Sequence, residues 1–296
     1  MKVTISDVAR LAGVSTATVS HTINNTRYVS DETKERVYQA IRELGYTPDA
    51  SARSFRTGKK QTVGFIVPDI SNKFFGTMIE AVENYLSEHG YHLIIANTKE
   101  DADREETSLR LLTAGLVDGI LVASTMEDFN RFDATIPAGF PVVLVDRTFE
   151  AKKYSSVCVS NFQPIYRSVC RLSGKGAQRI GIVGGLPRLS STKERISAYQ
   201  EAVEDCGLPQ EESLVLYGDS MENSVQSCLD DLLAQKCDAI VVCQGLMASE
   251  TIIYLHQKGL QLARDIDLVS FVDYDSNFYE LYSSQMDLHL QSVEHL

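Results

Sequence analysis

"TISDVARLAGVSTATVSHTINN", residues 4–25, decides how the front of this chain folds. Thr4 stands where a helix cap belongs, with the acid Asp7 three residues on, a capping-box spacing. Val8, Leu11 and Ala12 form the apolar side of a first short helix, and Gly13 ends it. Ser15 caps a second helix running from Thr16 to about Asn24, with Val19 and Ile23 four apart and facing inward. Two short helices joined by the tight "AGVS" turn make a helix-turn-helix. The outer face of the second helix then carries Thr16, Ala17, Thr18, Ser20 and His21. Short hydroxyls bond either base type and a methyl touches thymine, so this face suits the floor of a major groove. The same pattern also fits a helical hairpin that only packs.

The flanking residues add weight to the DNA reading. Ser30 caps a third helix, Asp31 and Glu32 sit in its first turn, Val37, Ile41 and Leu44 bury one stripe, and Gly45 closes it. "TPDASARSFRTGKK", residues 47–60, follows. After Pro48, with Asp49 as a cap, residues 50–57 have room for two helical turns, too short to be helical alone in water. This segment carries Arg53, Arg56, Lys59 and Lys60 around one large apolar residue, Phe55. A basic short helix with an apolar wedge is what a minor-groove kinking element requires, although a plain charged linker has the same composition. Residues 1–60 hold 10 Lys/Arg against 6 Asp/Glu, a net of +4. The remaining 18 basic and 34 acidic residues leave the body at −16. The overall −12 therefore hides a small basic head on an acidic body, the asymmetry expected when only the head meets a polyanion.

From residue 61 the signal changes. "TVGFIVPD", "YHLIIANT", "VDGILVAS", "PVVLVDR", "RIGIVGG", "LVLYG", "DAIVVC" and "DLVSFVD" alternate with amphipathic helical stretches, one of which places Phe75, Met78, Ile79, Val82 and Leu86 at helical spacing. The runs are continuous rather than alternating, so both faces read as buried, which predicts parallel strands covered by helices. Ligands of such sheets sit beyond the carboxyl ends of the strands. Those ends offer Asp69 with Phe74 and Phe75, Asn97, Ser124, Asp146–Arg147, Gly184–Gly185, Asp219, Gln244 and Asp273. Each alone fits a helix cap. Their recurrence suits a hydroxyl-rich ligand bound by carboxylate and guanidinium groups, with a ring to stack on a sugar.

Other classes find little support. No apolar run spans a bilayer, and the first residues lack the apolar core of a secretory signal, so a cytoplasmic protein is expected. The six cysteines form no C-x-x-C pair and read as small buried hydrophobes, with no metal site and no cofactor implied. "GIVGG" is an incomplete dinucleotide fingerprint, and no P-loop, H-E-x-x-H or G-x-S-x-G is present, so no enzyme is expected.

The motifs together resemble the LacI/GalR family of bacterial transcription regulators. Residues 4–25 look like its helix-turn-helix, and "YVSDETKERVYQAIRELGYTPDASARSFRTGK" looks like its third helix and hinge. "TVGFIVPDISNKFF", "LVDGILVAS", "VVLVDR" and "LVSFVDYD" look like its effector-domain signatures. The resemblance implies a head at 1–47, a hinge at 48–60 and a core at 61–296. That core is periplasmic-binding-protein-like, with one subdomain of about 61–160 plus the C-terminal end and another of about 161–285. It implies a homodimer on a double-stranded DNA operator, most often as a repressor controlled by a small effector, here a sugar or sugar derivative. DNA contacts carried over are Thr4, Ser6, Ser15, Thr16, Ala17, Thr18, Ser20, His21, Asn24 and Tyr28 in the head, and Ser51, Arg53, Ser54 and Phe55 in the hinge. Phe55 takes the place of the family's leucine lever. Effector contacts map onto Phe74, Phe75, Asp146, Arg147, Arg195 (in "KERISAY"), Ser220, Gln244 and Asp273.

The chain departs from the family pattern at several of these positions. His21 stands where arginine is usual, Gln244–Gly245 where Asn-Asp is common, Val272 for the first acid of G-F-D-D, and Ser220 where an aromatic often stands. These departures imply a pocket tuned differently from the best-known members. "LHLQSVEHL", residues 288–296, looks like the start of a family helix that normally continues for some tens of residues, so the chain reads as C-terminally truncated. A sugar-binding module that has lost DNA function through that truncation is the alternative, and an enzyme on a doubly wound fold the more distant one.

Overall fold

The computed structural model of the chain describes residues 3–47, 58–218, 225–273 and 287–291, the last two of these segments by backbone alone from residue 272 onward. Two compact units emerge, Met1–Lys60 and Gln61–Leu296.

The first unit contains α1 (Ile5–Ala12), α2 (Thr16–Asn24) and α3 (Asp31–Leu44). The Thr4 backbone N–H donates to the Asp7 carboxylate at 3.0 Å and its hydroxyl does so at 2.7 Å, closing the first turn of α1. Such a cap contributes about 1 kcal/mol. Gly13, with φ 65°, makes the sharp exit that an L side chain resists. One valine from each helix, Val8, Val19 and Val37, is fully buried, and Ala9, Ala12 and Ala40 fill the gaps between them. Leu11, expected on the apolar side of α1, is instead 47% exposed, because Ala9 takes the inward place one residue from Val8.

The second unit holds two parallel sheets. In the first, β1 (Thr62–Val67), β2 (His92–Asn97), β3 (Gly119–Val122), β4 (Val142–Val145) and β5 (Ser155–Val157) run in the order β2-β1-β3-β4-β5. Its helices are α4 (Lys73–Glu88), α5 (Ala102–Thr113) and α6 (Phe129–Thr135). Neighbours in β1 face opposite cores. Ile66 packs with Leu109, Val122, Phe132 and Leu144, whereas Phe65 packs with Val67, Phe74, Phe75 and Met78. This alternation is the period of two that a doubly covered strand requires.

The second sheet contains β6 (Ile180–Gly184), β7 (Val215–Tyr217), β8 (Ala239–Val242), β9 (Asp267–Asp273) and β10 (Asp287–Gln291), ordered β10-β9-β8-β6-β7. Its helices are α7 (Phe162–Lys175), α8 (Ser190–Asp205), α9 (Val225–Ala234) and α10 (Gly245–Gln257). At Gly181 in β6 an added Cβ would lie 2.6 Å from a Leu232 methyl, so the α9–sheet approach depends on glycine there. Among the described residues no helix is long and apolar enough to cross a membrane.

Three readings of the sequence need correction. Residues 287–291 form a strand parallel to β9, from Asp287↔Val269 to Gln291↔Asp273, rather than opening a helix, and they join the second sheet, not the first. The apolar–polar alternation of D-L-H-L-Q has the strand period, which the family-based reading overrode. β2 is not buried on both faces, because it is an edge strand with Ile94 and Ile95 exposed. Of the six free cysteines only Cys228, Cys237 and Cys243 are buried; Cys158 is exposed and Cys170 and Cys206 lie partly open.

Candidate functional site

On the helical unit, Thr4, Ser6, Ser15, Thr16, Ala17 and Tyr28 are exposed, while Thr18, Ser20, His21 and Asn24 are half-buried. α2 is held so that its outer side chains have defined positions. Ser15 Oγ accepts from the Thr18 N–H at 3.1 Å and lies 2.9 Å from Thr18 Oγ1. Asn24 Nδ2 donates to the Ser20 carbonyl at 2.8 Å. His21 Nδ1 is hydrogen-bonded to Thr26 Oγ1 at 2.8 Å, which fixes the ring against the end of its own helix and leaves Nε2 outside that contact. Thr16 and Ala17 carry no such local tie in the first turn and stand outward. Tyr28, in the loop before α3, is 92% exposed. Ser51, Arg53, Ser54 and Phe55 lie outside the described residues.

In the core unit, strand ends from both sheets meet at a cleft of about 670 Å³. Ser124, Phe129, Arg147 and Phe149 come from the first sheet's side; Arg188, Ser190 and Lys193 come from the second. Three contacts cross between the sides. The Thr148 N–H donates to Ser190 Oγ at 2.9 Å, Arg188 Nη2 donates to the Glu100 carbonyl at 2.9 Å, and Lys193 pairs with Glu127 at 3.4 Å.

Arg147 is the centre of this arrangement. Its Nη1 and Nη2 donate to Glu100 at 2.9 and 2.6 Å, and its guanidinium lies 5.9 Å from the Phe75 ring centre. Lys99, Glu100 and Asp146 all adopt positive φ, 54°, 57° and 64°, conformations that non-glycine residues hold only where surroundings impose them. Asp146 Oδ1 and Arg147 Nε are buried and make no hydrogen bond within the protein. Burial pushes the Asp146 carboxyl up from the ordinary aspartate range, with Arg147 and Arg195 pulling the other way. Arg195 is buried too. Its Nε donates to Asn161 Oδ1 at 2.8 Å, its Nη1 donates to the Cys243 carbonyl, and it lies 4.2 Å over the Phe271 ring. Burial lowers its pKa from the ordinary guanidinium value.

The expected contacts divide into groups. Asp146, Arg147 and Arg195 gather, close enough for their charges to act on one another. Gln244 caps α10, and its amide packs so tightly on Gly185 that a Cβ there would meet Nε2 at 2.5 Å, with Thr192 Oγ1 at 3.2 Å. Phe74 and Phe75 are buried edge-to-face in the first sheet's core, their centres 5.1 Å apart, so only Phe75 reaches toward the site, through Arg147. Ser220 lies outside the described residues, and Asp273 ends β9. The sequence gives no signal for Glu100 and Arg188, in the loops after β2 and β6, or for Glu105, on α5. Glu105 is wholly buried and accepts from Ser124 Oγ at 2.6 Å and from the Thr125 N–H and hydroxyl at 2.5 and 2.6 Å, which fixes the turn after β3 that lines the cleft.

Residues 4–49 match the family of bacterial regulatory proteins, lacI family, and residues 60–292 match the periplasmic binding proteins and sugar binding domain of LacI family. The chain belongs to the LacI family. It is thus a DNA-binding transcriptional regulator and not an enzyme. The HTH-type transcriptional repressor PurR of Aliivibrio salmonicida is 32% identical over 279 residues, 93% of this chain and 84% of that protein. Its counterpart in Pasteurella multocida is 33% identical over 282 residues, again 93% and 84%. Among solved structures, the transcriptional regulator CelR–cellobiose complex is 28% identical with a TM-score of 0.70, covering 99% of this chain and 89% of that one. The Lac repressor bound to ONPG in the repressed state has a TM-score of 0.83 over 99% of this chain and 89% of that one, at 22% identity, a likeness of fold. The three-helix unit and the two-sheet core are the two parts of a LacI-family regulator.

Proposed function

We propose that this LacI-family protein is a repressor that binds a double-stranded DNA operator as a homodimer and changes its grip when a carbohydrate enters the cleft between its two sheets. The observation that carries the effector reading is that two buried atoms of neighbouring residues, Asp146 Oδ1 and Arg147 Nε, make no hydrogen bond within the protein. Buried polar atoms are costly unless they find a partner, and a hydroxyl supplies one to both, accepting from Nε and donating to Oδ1. Phe129 and Phe149 on the cleft wall add apolar ring surface for a pyranose. The relative solved with cellobiose supports a sugar as the ligand class.

Thr16, Ala17 and His21 read base edges in this account, with Ser15 and Ser20 positioned against phosphate. Thr4, Ser6, Thr18, Asn24 and Tyr28 serve the same face, and Ser51, Arg53, Ser54 and Phe55 the minor groove. Dimerisation is supported by exposed Ile94 and Ile95 on edge strand β2 and by Tyr85 on α4, an apolar surface that a second copy buries. The effector acts by favouring one arrangement of the two subdomains over another. A thermal-shift screen of cellobiose, other sugars and sugar phosphates tests the reading, since a ligand of the native state raises the melting temperature. A sugar that stabilises the parent protein and not Asp146→Asn supports it; no stabilisation by any sugar contradicts the carbohydrate assignment.

A further inference from the structure

The two partly open cysteines that the sequence reading took for packing residues face each other. Cys170 lies on α7 and Cys206 is the C-cap of α8, and their sulfurs are 3.4 Å apart. That is hydrogen-bond contact between thiols. A disulfide would bring the sulfurs about 1.4 Å closer than this contact. The other four cysteines are separate from this pair: Cys228, Cys237 and Cys243 are buried and Cys158 is exposed.

The surroundings hold the pair together. Ile165, Val169 and Leu172 of α7 share a core with Ala198, Tyr199, Ala202 and Val203 of α8. Near the sulfurs, Tyr166 donates to Asp205 at 2.6 Å, linking the same two helices. At the opposite end of the pair, Glu194 accepts from the backbone N–H groups of Asn161 and Phe162 at 3.2 and 3.1 Å. The two helices are thus fixed against one another on both sides, and the sulfurs cannot drift apart without breaking those contacts. Burial and the neighbouring Cys206 sulfur push the Cys170 thiol up from its ordinary value, so its thiolate is scarce at neutral pH and closure by exchange speeds up as pH rises.

We propose that Cys170 and Cys206 are a thiol modification site that closes to an intrachain disulfide by exchange with a small disulfide such as oxidised glutathione. In the first step one protein thiolate attacks a glutathione sulfur, forming a mixed disulfide and releasing one glutathione thiolate. The second protein thiolate then attacks the protein sulfur of that mixed disulfide and releases the other glutathione. The two cysteines lose two protons and two electrons in all, and the small disulfide is reduced to two thiols. The new bond encloses β6 and α8, the helix whose first turn carries Ser190 and Lys193 to the cleft. It constrains the unfolded chain and so stabilises the unit.

The test uses the full chain, incubated natively with oxidised glutathione, alkylated, and digested without reduction. The expected product is a peptide pair joining Cys170 to Cys206, with the mass of two hydrogen atoms lost, and a melting temperature above that of the reduced protein. Cys170→Ser and Cys206→Ser are each expected to retain glutathione on the remaining thiol. A stable glutathione adduct at either position in the parent chain, linkage to a different cysteine, or both thiols still alkylated while Cys158 has reacted, overturns the proposal.

Discussion

Arg147 grips Glu100 through both terminal nitrogens, at 2.9 and 2.6 Å, and Arg188 from the other sheet's side donates to the carbonyl of the same glutamate at 2.9 Å. One acid therefore serves two purposes: it neutralises the buried cation beneath the cleft and anchors the contact that crosses it. The Arg147 side chain is 7% exposed and that of Arg188 is 33%. Removing Glu100 leaves Arg147 buried without its partner, at a cost of about 3 kcal/mol. Arg188→Ala removes a half-open contact worth about 1 kcal/mol or less. Urea unfolding of the two variants checks this ordering, and equal losses contradict it.

Glu105 gives a pH dependence. Burial raises its carboxyl above the ordinary 4.5, while Ser124 and Thr125 donate to it and resist that rise. A group raised in the folded state contributes stability that is complete below its unfolded value and fades as pH climbs through the folded one. Relative to the parent, Glu105→Gln therefore gains stability as pH rises above 4.5. Glu105→Leu strands three buried donors and costs about 2–3 kcal/mol. Melting curves across pH read both effects; a parent–Gln difference that stays flat with pH removes the assignment.

Gly185 and Gly181 separate site geometry from stability. A methyl at 185 meets the end of the Gln244 side chain, which is able to turn away, whereas one at 181 meets Leu232 inside the core. Gly185→Ala is expected to weaken effector binding with a modest change in melting temperature. Gly181→Ala is expected to lower the melting temperature more, by overpacking that costs about 1–3 kcal/mol. Calorimetric titration with the stabilising sugar, alongside thermal melts, distinguishes them.

In the proposed reading, His21 sets operator choice. An imidazole tied to Thr26 reaches less far than an arginine fork, which pairs bidentately with guanine. His21→Arg is expected to tighten binding by about tenfold or to shift base preference at one operator position. Unchanged affinity together with unchanged preference, measured against a randomised site library, shows that residue 21 does not touch DNA.

Much of this was legible in the chain because local signals agreed with the final packing. The bounds of α2, Thr16 to Asn24, follow from Ser15 and the Val19–Ile23 pair, and eight apolar runs became β1–β4 and β6–β9. β5, Ser155–Val157, gave no signal because a three-residue edge strand with two exposed serines has no hydrophobic period to read. Asp146–Arg147 stood out as a charged pair at a strand end. Glu100, Glu105 and Arg188 did not, because a charge on a loop or helix looks solvated until the fold buries it against a partner. Phe74 and Phe75 illustrate the reverse. Their place after β1 suggested stacking on a ligand, yet the helical face they share with Met78 turns both into the core.

The most direct test of the central claim is a fluorescence-anisotropy titration of the full chain against DNA from upstream of its own gene. It is run at low and moderate salt, with excess non-specific DNA, and repeated with cellobiose and any sugar that stabilises the protein. A net +4 head predicts binding that weakens as salt rises. The account predicts a complex that survives the competitor at both salts and whose affinity moves when the sugar is added. No sequence-specific complex at either salt, or a complex whose affinity is indifferent to a sugar that binds the core, would contradict it.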